Sequence, residues 1–372
     1  MSRACTVVLA IVLVGSAAPA AAASQARAPE PTIAPGAALY RAACVTCHGP
    51  DGKGSPRTLV GFDVALPDFT DCSFASAEAD ADWFAVIHEG GPARGLDRHM
   101  PAFGSALTAD EITLAANHVR TFCTEPAWPR GDLNLPRALF TEKAFPENEA
   151  LWVTRITDGP EPAIGNDLIY ERRIGARTQV EIVAPIDFQQ NAEGAWTRGL
   201  GDVAVAVKRT LHASHARGRI VSGGLEVVLP TGEDTVGLGS GVTVIEPFAM
   251  WGQVLPGGAF LQMHGGAELP TDTDKKAREV FVRTALGMTY ATDRGFGRAW
   301  SPQVELLWAR PEGGQAEWDI VPQMQVTLSK LQHVALAAGV RIPLTERDER
   351  RTQFVAYLLW DWFDGSFLEF WR

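Results

Sequence analysis

Two cysteines and a histidine form the clearest chemical pattern in the sequence. The segment Cys44-Val45-Thr46-Cys47-His48 places an imidazole directly after the second of two closely spaced thiols. This C-x-x-C-H spacing is the attachment motif of c-type haem. Both thiols can form thioether bonds to the haem vinyl groups, and the histidine can bind the iron. A bare C-x-x-C can also be a redox pair or part of a zinc site.

Neighbouring residues favour haem over these alternatives. Leu39-Tyr40 lies about one helical turn before the motif and could pack on the porphyrin. Glycines at Gly49, Gly52 and Gly54 permit a tight turn away from the ring. We therefore expect one covalently bound haem c, attached at Cys44 and Cys47, with His48 as an iron ligand.

A second iron ligand is expected at Met100. It precedes Pro101 in a stretch rich in glycine and proline, which is a poor position for a methionine that fills a core. A thioether ligand favours reduced iron and raises the reduction potential. His99, next to it, is the rival ligand, and His88 is a weaker one. With both axial positions filled, the iron would carry electrons rather than activate oxygen or peroxide.

The N-terminus predicts export. Arg3 is followed by an apolar run, Ala4–Val14, and by small residues that end at Ala21-Ala22-Ala23. This pattern is typical of a secretory signal peptide, here residues 1–23, rather than of a membrane anchor. Downstream, no uninterrupted apolar run of about 18 residues predicts a transmembrane helix.

The remaining cysteines fit an oxidising compartment. Cys5 would leave with the signal peptide, and Cys44 and Cys47 would hold haem, which leaves Cys72 and Cys123. A disulfide between these two is the simplest interpretation, and two buried free thiols are the alternative.

Helical patterns surround the haem motif. Ala37–Cys47 predicts an entry helix, Ala79–Ile87 a helix that packs Trp83 beside the haem, and Thr108-Ala109-Asp110-Glu111 a capping box that opens a last helix. Residues 36–124 resemble a class I c-type cytochrome domain, on the strength of the entry helix, the Cys44–His48 motif, Trp83, Met100-Pro101 and the closing helix. The resemblance implies a small all-α fold with one haem, His48 as the proximal ligand and Met100 as the distal ligand.

Behind this domain, the sequence pattern changes from helical to alternating. Residues 125–147 are rich in proline and predict a linker. From residue 148 onward, period-2 alternation predicts about twelve antiparallel strands. The predicted strands are Ala150–Thr157, Asp167–Ile174, Thr178–Phe188, Asp202–Arg209, Arg219–Leu229, Val242–Gln253, Ala259–Leu269, Glu279–Tyr290, Ala299–Ala309, Glu317–Ser329, His333–Ile342 and Arg351–Trp362. The expected fold is therefore α + β multidomain, a small helical domain followed by an all-β barrel.

Two all-β architectures compete. A soluble sandwich would turn its apolar faces inward, whereas a membrane barrel would turn them toward lipid and keep long polar side chains in the lumen. Strands of about ten residues favour the barrel, as do charged residues on the polar faces and the aromatic end Phe367–Arg372. Tryptophans near strand ends also favour it, namely Trp152, Trp251, Trp300, Trp308, Trp360 and Trp362.

Glycine-rich motifs suggest a family for the barrel. Gly199-Leu200-Gly201-Asp202, Leu229–Asp234 and Gly237–Gly241 resemble the outer-membrane β-barrel family associated with meta-pathway phenol degradation. The resemblance implies a porin-like outer-membrane barrel, without carrying over a substrate.

The combined prediction is an electron carrier rather than an enzyme. A haem domain in the periplasm would be held by an outer-membrane barrel and would exchange electrons with periplasmic redox proteins. The alternatives are a solute-transporting barrel with the haem domain as plug, sensor or dock, and an electron-accepting subunit of a periplasmic oxidoreductase. A net charge of −11 argues against nucleic acid as a partner. Outer-membrane lipid is expected as a partner of the barrel and not of the haem domain.

Overall fold

The computed structural model describes residues 34–159, 161–190, 193–291, 299–329 and 332–361. The predicted signal peptide, residues 1–23, the predicted interfacial residue Trp362 and the aromatic end Phe367–Arg372 lie outside the described residues. Among the helices in these ranges, none combines the length and the apolar character that a membrane-spanning segment needs.

The first part of the chain forms a helical domain. Its helices are α1 (Pro35–Ala43), α2 (Val45–His48), α3 (Arg57–Val60), α4 (Cys72–Ala75), α5 (Asp80–Glu89) and α6 (Ala109–Arg120). The predicted entry helix is broken at Cys44 into α1 and α2. The predicted capping box is confirmed, because Thr108 and Glu111 cap α6 reciprocally.

A disulfide joins the middle of this domain to its end. Cys72, at the start of α4, is bonded to Cys123, three residues after α6. The predicted pairing is confirmed, and the middle of the domain is tied to its closing helix.

The second part of the chain is entirely β. Its segments are β1 (Glu149–Thr157), β2 (Ala163–Ile174), β3 (Thr178–Gln190), β4 (Trp196–Leu200), β5 (Ala204–Ser214), β6 (Arg219–Val228), β7 (Val244–Val254), β8 (Ala259–Pro270), β9 (Glu279–Met288), β10 (Tyr290–Ala291), β11 (Ala299–Pro311), β12 (Glu317–Thr327), β13 (Val334–Pro343) and β14 (Gln353–Asp361). Each of the twelve predicted strands has a counterpart.

The strands close into an antiparallel barrel. Both β4 and β5 pair with β3, and both β9 and β10 pair with β11, so the 14 segments act as 12 barrel strands. The first strand then pairs with the last along its whole length, from Glu149 opposite Asp361 to Thr157 opposite Gln353. The predicted fold class is confirmed.

The barrel is apolar outside and polar inside. On β5, Val205 and Val207 are exposed while Lys208 is buried, and on β3 Ile182 is exposed while Glu181 is buried. A soluble sandwich would show the opposite arrangement. The pattern is that of a barrel whose outer surface faces lipid.

Exposed aromatic residues lie near both ends of the barrel. Tyr290 is opposite Trp300 at one end of β11, and Trp308 is opposite Trp318 toward the other. Trp300 and Trp308 are eight positions apart in the chain, which is roughly 26 Å along an extended strand. That length is comparable to the apolar band of about 25 Å in outer-membrane barrels, and it shortens when strands tilt. These two aromatic pairs therefore bracket a membrane-sized stretch of β11.

The predicted Pro-rich linker, residues 125–147, extends into the barrel lumen. Its second half, residues 131–147, is called here the plug. Most plug side chains are buried, and plug groups hydrogen-bond inward-facing side chains on strands all around the barrel. These bonds come from β5, β6, β8, β9, β11, β12 and β14. Only a segment within the lumen can reach strands on every side.

Buried ion pairs fix the charged plug residues. Arg137 bonds Glu149, at 2.9 Å, and Glu171. Lys143 pairs with Glu147 and, at 3.1 Å, with Glu149. A buried charge is tolerated when it is paired and hydrogen-bonded, so these contacts let cations lie in the lumen.

One carboxylate, Glu305 of β11, holds the tip of the plug. It is fully buried and accepts the backbone N–H groups of Leu139, Phe140 and Thr141 at 3.1, 3.2 and 2.6 Å. The Thr141 hydroxyl also donates to it, at 2.6 Å. Residues 139–141 of the plug therefore bind one carboxylate through three successive N–H groups.

The helical domain contacts the end of the barrel where the connections are short. His333 Nε2 lies 3.0 Å from Glu78 Oε1 of the domain, and Arg177 Nε donates at 2.9 Å to the carbonyl of Ala127, in the segment that follows the domain. Connections at this end include 175–177, 215–218 and 255–258, whereas those at the other end include 229–243, 271–278 and 344–352. The two ends of the barrel are therefore unequal.

We expect Glu305→Ala to loosen the plug. The substitution leaves the N–H groups of Phe140 and Thr141 without an acceptor, each costing about 1–3 kcal/mol, while Leu139 keeps its bond to Gln323. Single-channel conductance in planar bilayers should be small for the unaltered protein and several-fold larger for the variant. Glu268→Ala is the control, because Glu268 pairs with Lys276 at 2.5 Å and not with the plug. Equal conductance of all three proteins would mean that the plug does not seal the lumen.

Candidate haem site

The thiols and imidazole of the motif lie at the junction of α1 and α2. Cys44 stands directly before α2, and Cys47 and His48 lie within it. Both thiols are free and half-buried. The Tyr40 hydroxyl donates to the Gly49 carbonyl at 2.8 Å and holds the end of α2 against α1.

The chain turns away directly after His48, as predicted. Gly49, Gly52 and Gly54 all have positive φ. At Gly52, a Cβ would also lie 2.8 Å from the Phe122 ring. A larger residue there would be strained by its backbone and would collide with the end of the closing helix.

The His48 ring is packed but not fully hydrogen-bonded. It stacks on Phe69 with ring centroids 4.8 Å apart, and its Nδ1 is buried without a partner among the described residues. Burial lowers the pKa of His48, which favours the neutral imidazole that metal ions bind.

Met100 lies on an apolar wall. It packs against the cluster of Ile87, Ile112 and Ala116. Its carbonyl accepts the Gly91 N–H at 3.0 Å, which closes the loop that carries it. The loop begins with a single 3-10 turn, Gly91–Arg94.

The rival histidines have other contacts. His99 is exposed, its Nδ1 lies 2.6 Å from Asp97 Oδ1, and its ring stacks on Phe62. His88 Nδ1 lies 2.6 Å from Glu89 Oε1. These contacts favour Met100 as the distal ligand, which stays a prediction.

Trp83 connects the two sides of the site. It packs against the cluster that includes Cys44 and Phe69, and also against the cluster that includes Met100. Its Nε1 is buried with no partner among the described residues. A covalent haem would use the groups that this site brings together. They are the thiols of Cys44 and Cys47, an imidazole nitrogen of His48, the Met100 thioether and the Trp83 indole N–H. The residues present therefore fit haem c.

The state of the thiols is consistent with attachment by addition to vinyl groups. Burial and the neighbouring Cys47 raise the pKa of Cys44 to about 11, so its thiol is protonated near neutral pH. A zinc site would instead require thiolates and further ligands close by. Among the described residues, the groups spaced to hold a metal ion do not include the motif cysteines.

Buried charges link this domain to the barrel. Burial would raise the pKa of the Glu78 carboxyl, but the hydrogen bond to His333 and the nearby Arg94 and Arg120 lower it below its usual value. Arg94, in the turn before Met100, pairs with Asp82 at 2.6 Å. Sequence reasoning missed this network, because its members are far apart in the chain and only docking brings them together.

Comparisons with known proteins agree with this organisation. Residues 31–119 match the family model described as cytochrome C oxidase, cbb3-type, subunit III. The helical domain is thus a c-type cytochrome domain, and haem c follows from that family. No curated protein matches the sequence.

Solved structures resemble each part of the chain. The KustC0563 c-type cytochrome is 29% identical and covers 24% of this chain and 98% of its own, with a TM-score of 0.21. The COG4313 outer membrane channel from Pseudomonas putida F1 is 12% identical over 57% of this chain and 94% of its own, with a TM-score of 0.43. The KdgM porin in complex with disordered oligogalacturonate is 8% identical over 57% and 98%, with a TM-score of 0.39. These values transfer no function, and the phenol-degradation family stays a prediction.

We expect the haem to be covalent through Cys44 and Cys47. The double substitution Cys44→Ala and Cys47→Ala should abolish haem staining after denaturing gel electrophoresis, because no thioether remains. Thr46→Ala, within the same motif, is the control and should stain normally. Covalent haem in the double variant would contradict the assignment.

We expect Met100→Ala to remove the weak long-wavelength absorption band of Met-ligated ferric haem and to lower the reduction potential. His99→Ala should change neither, because His99 is bound to Asp97 and Phe62. Potentiometric titration with optical detection measures both effects. The opposite result would make His99 the ligand.

Proposed function

We propose that this protein transfers electrons through one covalent haem c that the barrel holds at the periplasmic face of the outer membrane. The observation that carries the proposal is the docking of the cytochrome domain on the short-turn end of a lipid-facing barrel. Iron in this domain would cycle between Fe(II) and Fe(III), and the protein residues would bind, orient and shield the haem.

The periplasmic placement rests on the unequal ends of the barrel. Bacterial outer-membrane barrels have short periplasmic turns and longer extracellular loops. An even number of strands puts the start of β1 and the end of β14 at the same end, and Glu78 of the cytochrome domain contacts His333, in the short connection between β12 and β13, at that end. The haem would then be accessible to soluble carriers in the periplasm.

The plug supports an anchor rather than an open pore. Residues 131–147 occupy the lumen and bond strands around its circumference. A transport role in which the cytochrome domain acts as the plug loses its main support, because the plug is the segment that follows that domain. We therefore place solute transport second.

The redox partners proposed here are periplasmic proteins. The cytochrome domain is acidic, so a partner with a basic face would be attracted to it. With both axial positions filled by the chain, the iron would have no open position for substrate, and the protein would be a carrier rather than an enzyme.

Protease added to intact cells tests the placement. We expect the haem-stained protein to fractionate with outer membranes and the cytochrome domain to stay intact until the outer membrane is opened. Release of a haem-stained fragment from sealed cells would contradict the periplasmic placement. Haem staining confined to the soluble fraction would contradict the anchor.

A further inference from the structure

The lumen contains a cavity on the far side of the plug from the cytochrome domain. Its volume is about 260 Å³, and its floor is formed by plug residues 137–140 and 142. Its walls include Arg155 of β1 and Glu226 of β6, both close to the strand ends that carry the long loops. We call this cavity the vestibule.

Three carboxylates of the vestibule lack partners. Glu142 comes from the plug, Glu181 from β3 and Glu226 from β6. None of them has a hydrogen bond or an ion pair with any residue in the described part of the chain. Glu181 is only 5% exposed, and a buried carboxylate without compensation is costly.

Most cations of the vestibule are already bound elsewhere. Arg137 bonds Glu149 and Glu171, and Arg155 pairs with Asp167, another residue of the wall. Arg283 donates to the Phe140 carbonyl at 3.3 Å and has no carboxylate partner among the described residues. Among the residues that line the vestibule, three carboxyl groups without a hydrogen bond or ion pair therefore face one guanidinium without a carboxylate partner.

The spacing of these carboxylates does not suit a directly bound metal ion. Among the described residues, two acidic clusters have ligand atoms within 4.8 Å of one another, and neither includes Glu142, Glu181 or Glu226. Those two clusters already have cations, since Asp80 bonds Arg120 and Arg130, and Glu147 and Glu149 bond Lys143.

The remaining wall is apolar. Val153, Ile169, Val183 and Val355 line the vestibule between the charged groups. Methylene groups would pack against such a surface, whereas a hydrated metal ion would gain nothing from it.

We infer that the vestibule binds a small organic cation with two ammonium groups joined by a short aliphatic chain. Each ammonium group would pair with one of the carboxylates Glu142, Glu181 and Glu226, and the chain would lie against the valine and isoleucine side chains. The site is separate from the haem site and does not depend on the electron-transfer proposal.

Isothermal titration calorimetry on the full-length, haem-loaded protein in detergent tests this site. The probe is 1,4-diaminobutane, with butylamine and magnesium chloride as the comparison ligands. We expect one diamine per protein and binding of butylamine weakened about tenfold or more, because one charge contact is lost.

Substitutions then locate the site. Glu181→Gln and Glu226→Gln should each weaken diamine binding about tenfold or more. Glu268→Gln is the matched control, because Glu268 is a barrel carboxylate that pairs with Lys276 and does not line the vestibule. It should bind like the unaltered protein, and heat-modifiable migration in gels shows that each barrel is folded.

Three outcomes would overturn the inference. The unaltered protein could fail to bind the diamine, which would mean that the carboxylates are neutralised by protons or water. The control variant could lose as much affinity as the other two, which would place the effect outside the vestibule. Magnesium could bind where the diamine does not, which would make the site a metal site.

Discussion

The pairing of β1 with β14 is the constraint on which the rest of the structure depends. A strand edge facing lipid would leave backbone N–H and C=O groups without partners, at a cost of several kcal/mol each. Closure removes both edges, from Glu149 opposite Asp361 to Thr157 opposite Gln353. It also fixes where the chain enters, because the start of β1 and the end of β14 then share one end of the barrel. The cytochrome domain and the plug must both follow from that point.

Closure of the barrel encloses a lumen, and the charged side chains that face this lumen need ion-pair or hydrogen-bond partners. Inward positions on the strands carry Glu171, Glu181, Lys208 and Glu305, all buried. The plug meets much of this requirement with Arg137, Lys143 and the backbone amides around Glu305. It therefore adds stability to the barrel at the same time as it occupies the lumen. At the vestibule, Glu142, Glu181 and Glu226 have no such partners among the described residues.

The sequence predicted local patterns well because each depends on neighbours in the chain. Alternation revealed the strands, and Thr108 and Glu111 revealed the start of α6, since caps and faces are set within a few residues. The outward direction of Val205 and Val207 also followed, because their partners in alternation were long and charged. The Cys72–Cys123 bond was deduced by elimination from the other cysteines.

Longer-range features were not predictable in this way. Residues 125–147 contain enough proline to suggest a linker, yet Leu133, Leu135 and Phe145 are apolar residues that a solvated linker would not need. These apolar residues indicated a buried segment, but the prolines led to the prediction of a linker. The Glu78–His333 contact had no comparable signal, since its members are separated by most of the chain. The iron-site residues are motif-based, and their coordination stays a prediction.

The position of the plug in the chain has a consequence for biogenesis. Residues 131–147 precede every strand, yet their partners include Lys208, Glu305 and Tyr357, which belong to strands made early, late and last. The Tyr357 hydroxyl reaches the Arg137 carbonyl only when β14 is in place. Both ends of the plug lie at the end of the barrel that carries the cytochrome domain, so the plug can enter the lumen from that end. A chain without its plug would have to close around an interior whose charged and polar side chains lack these partners.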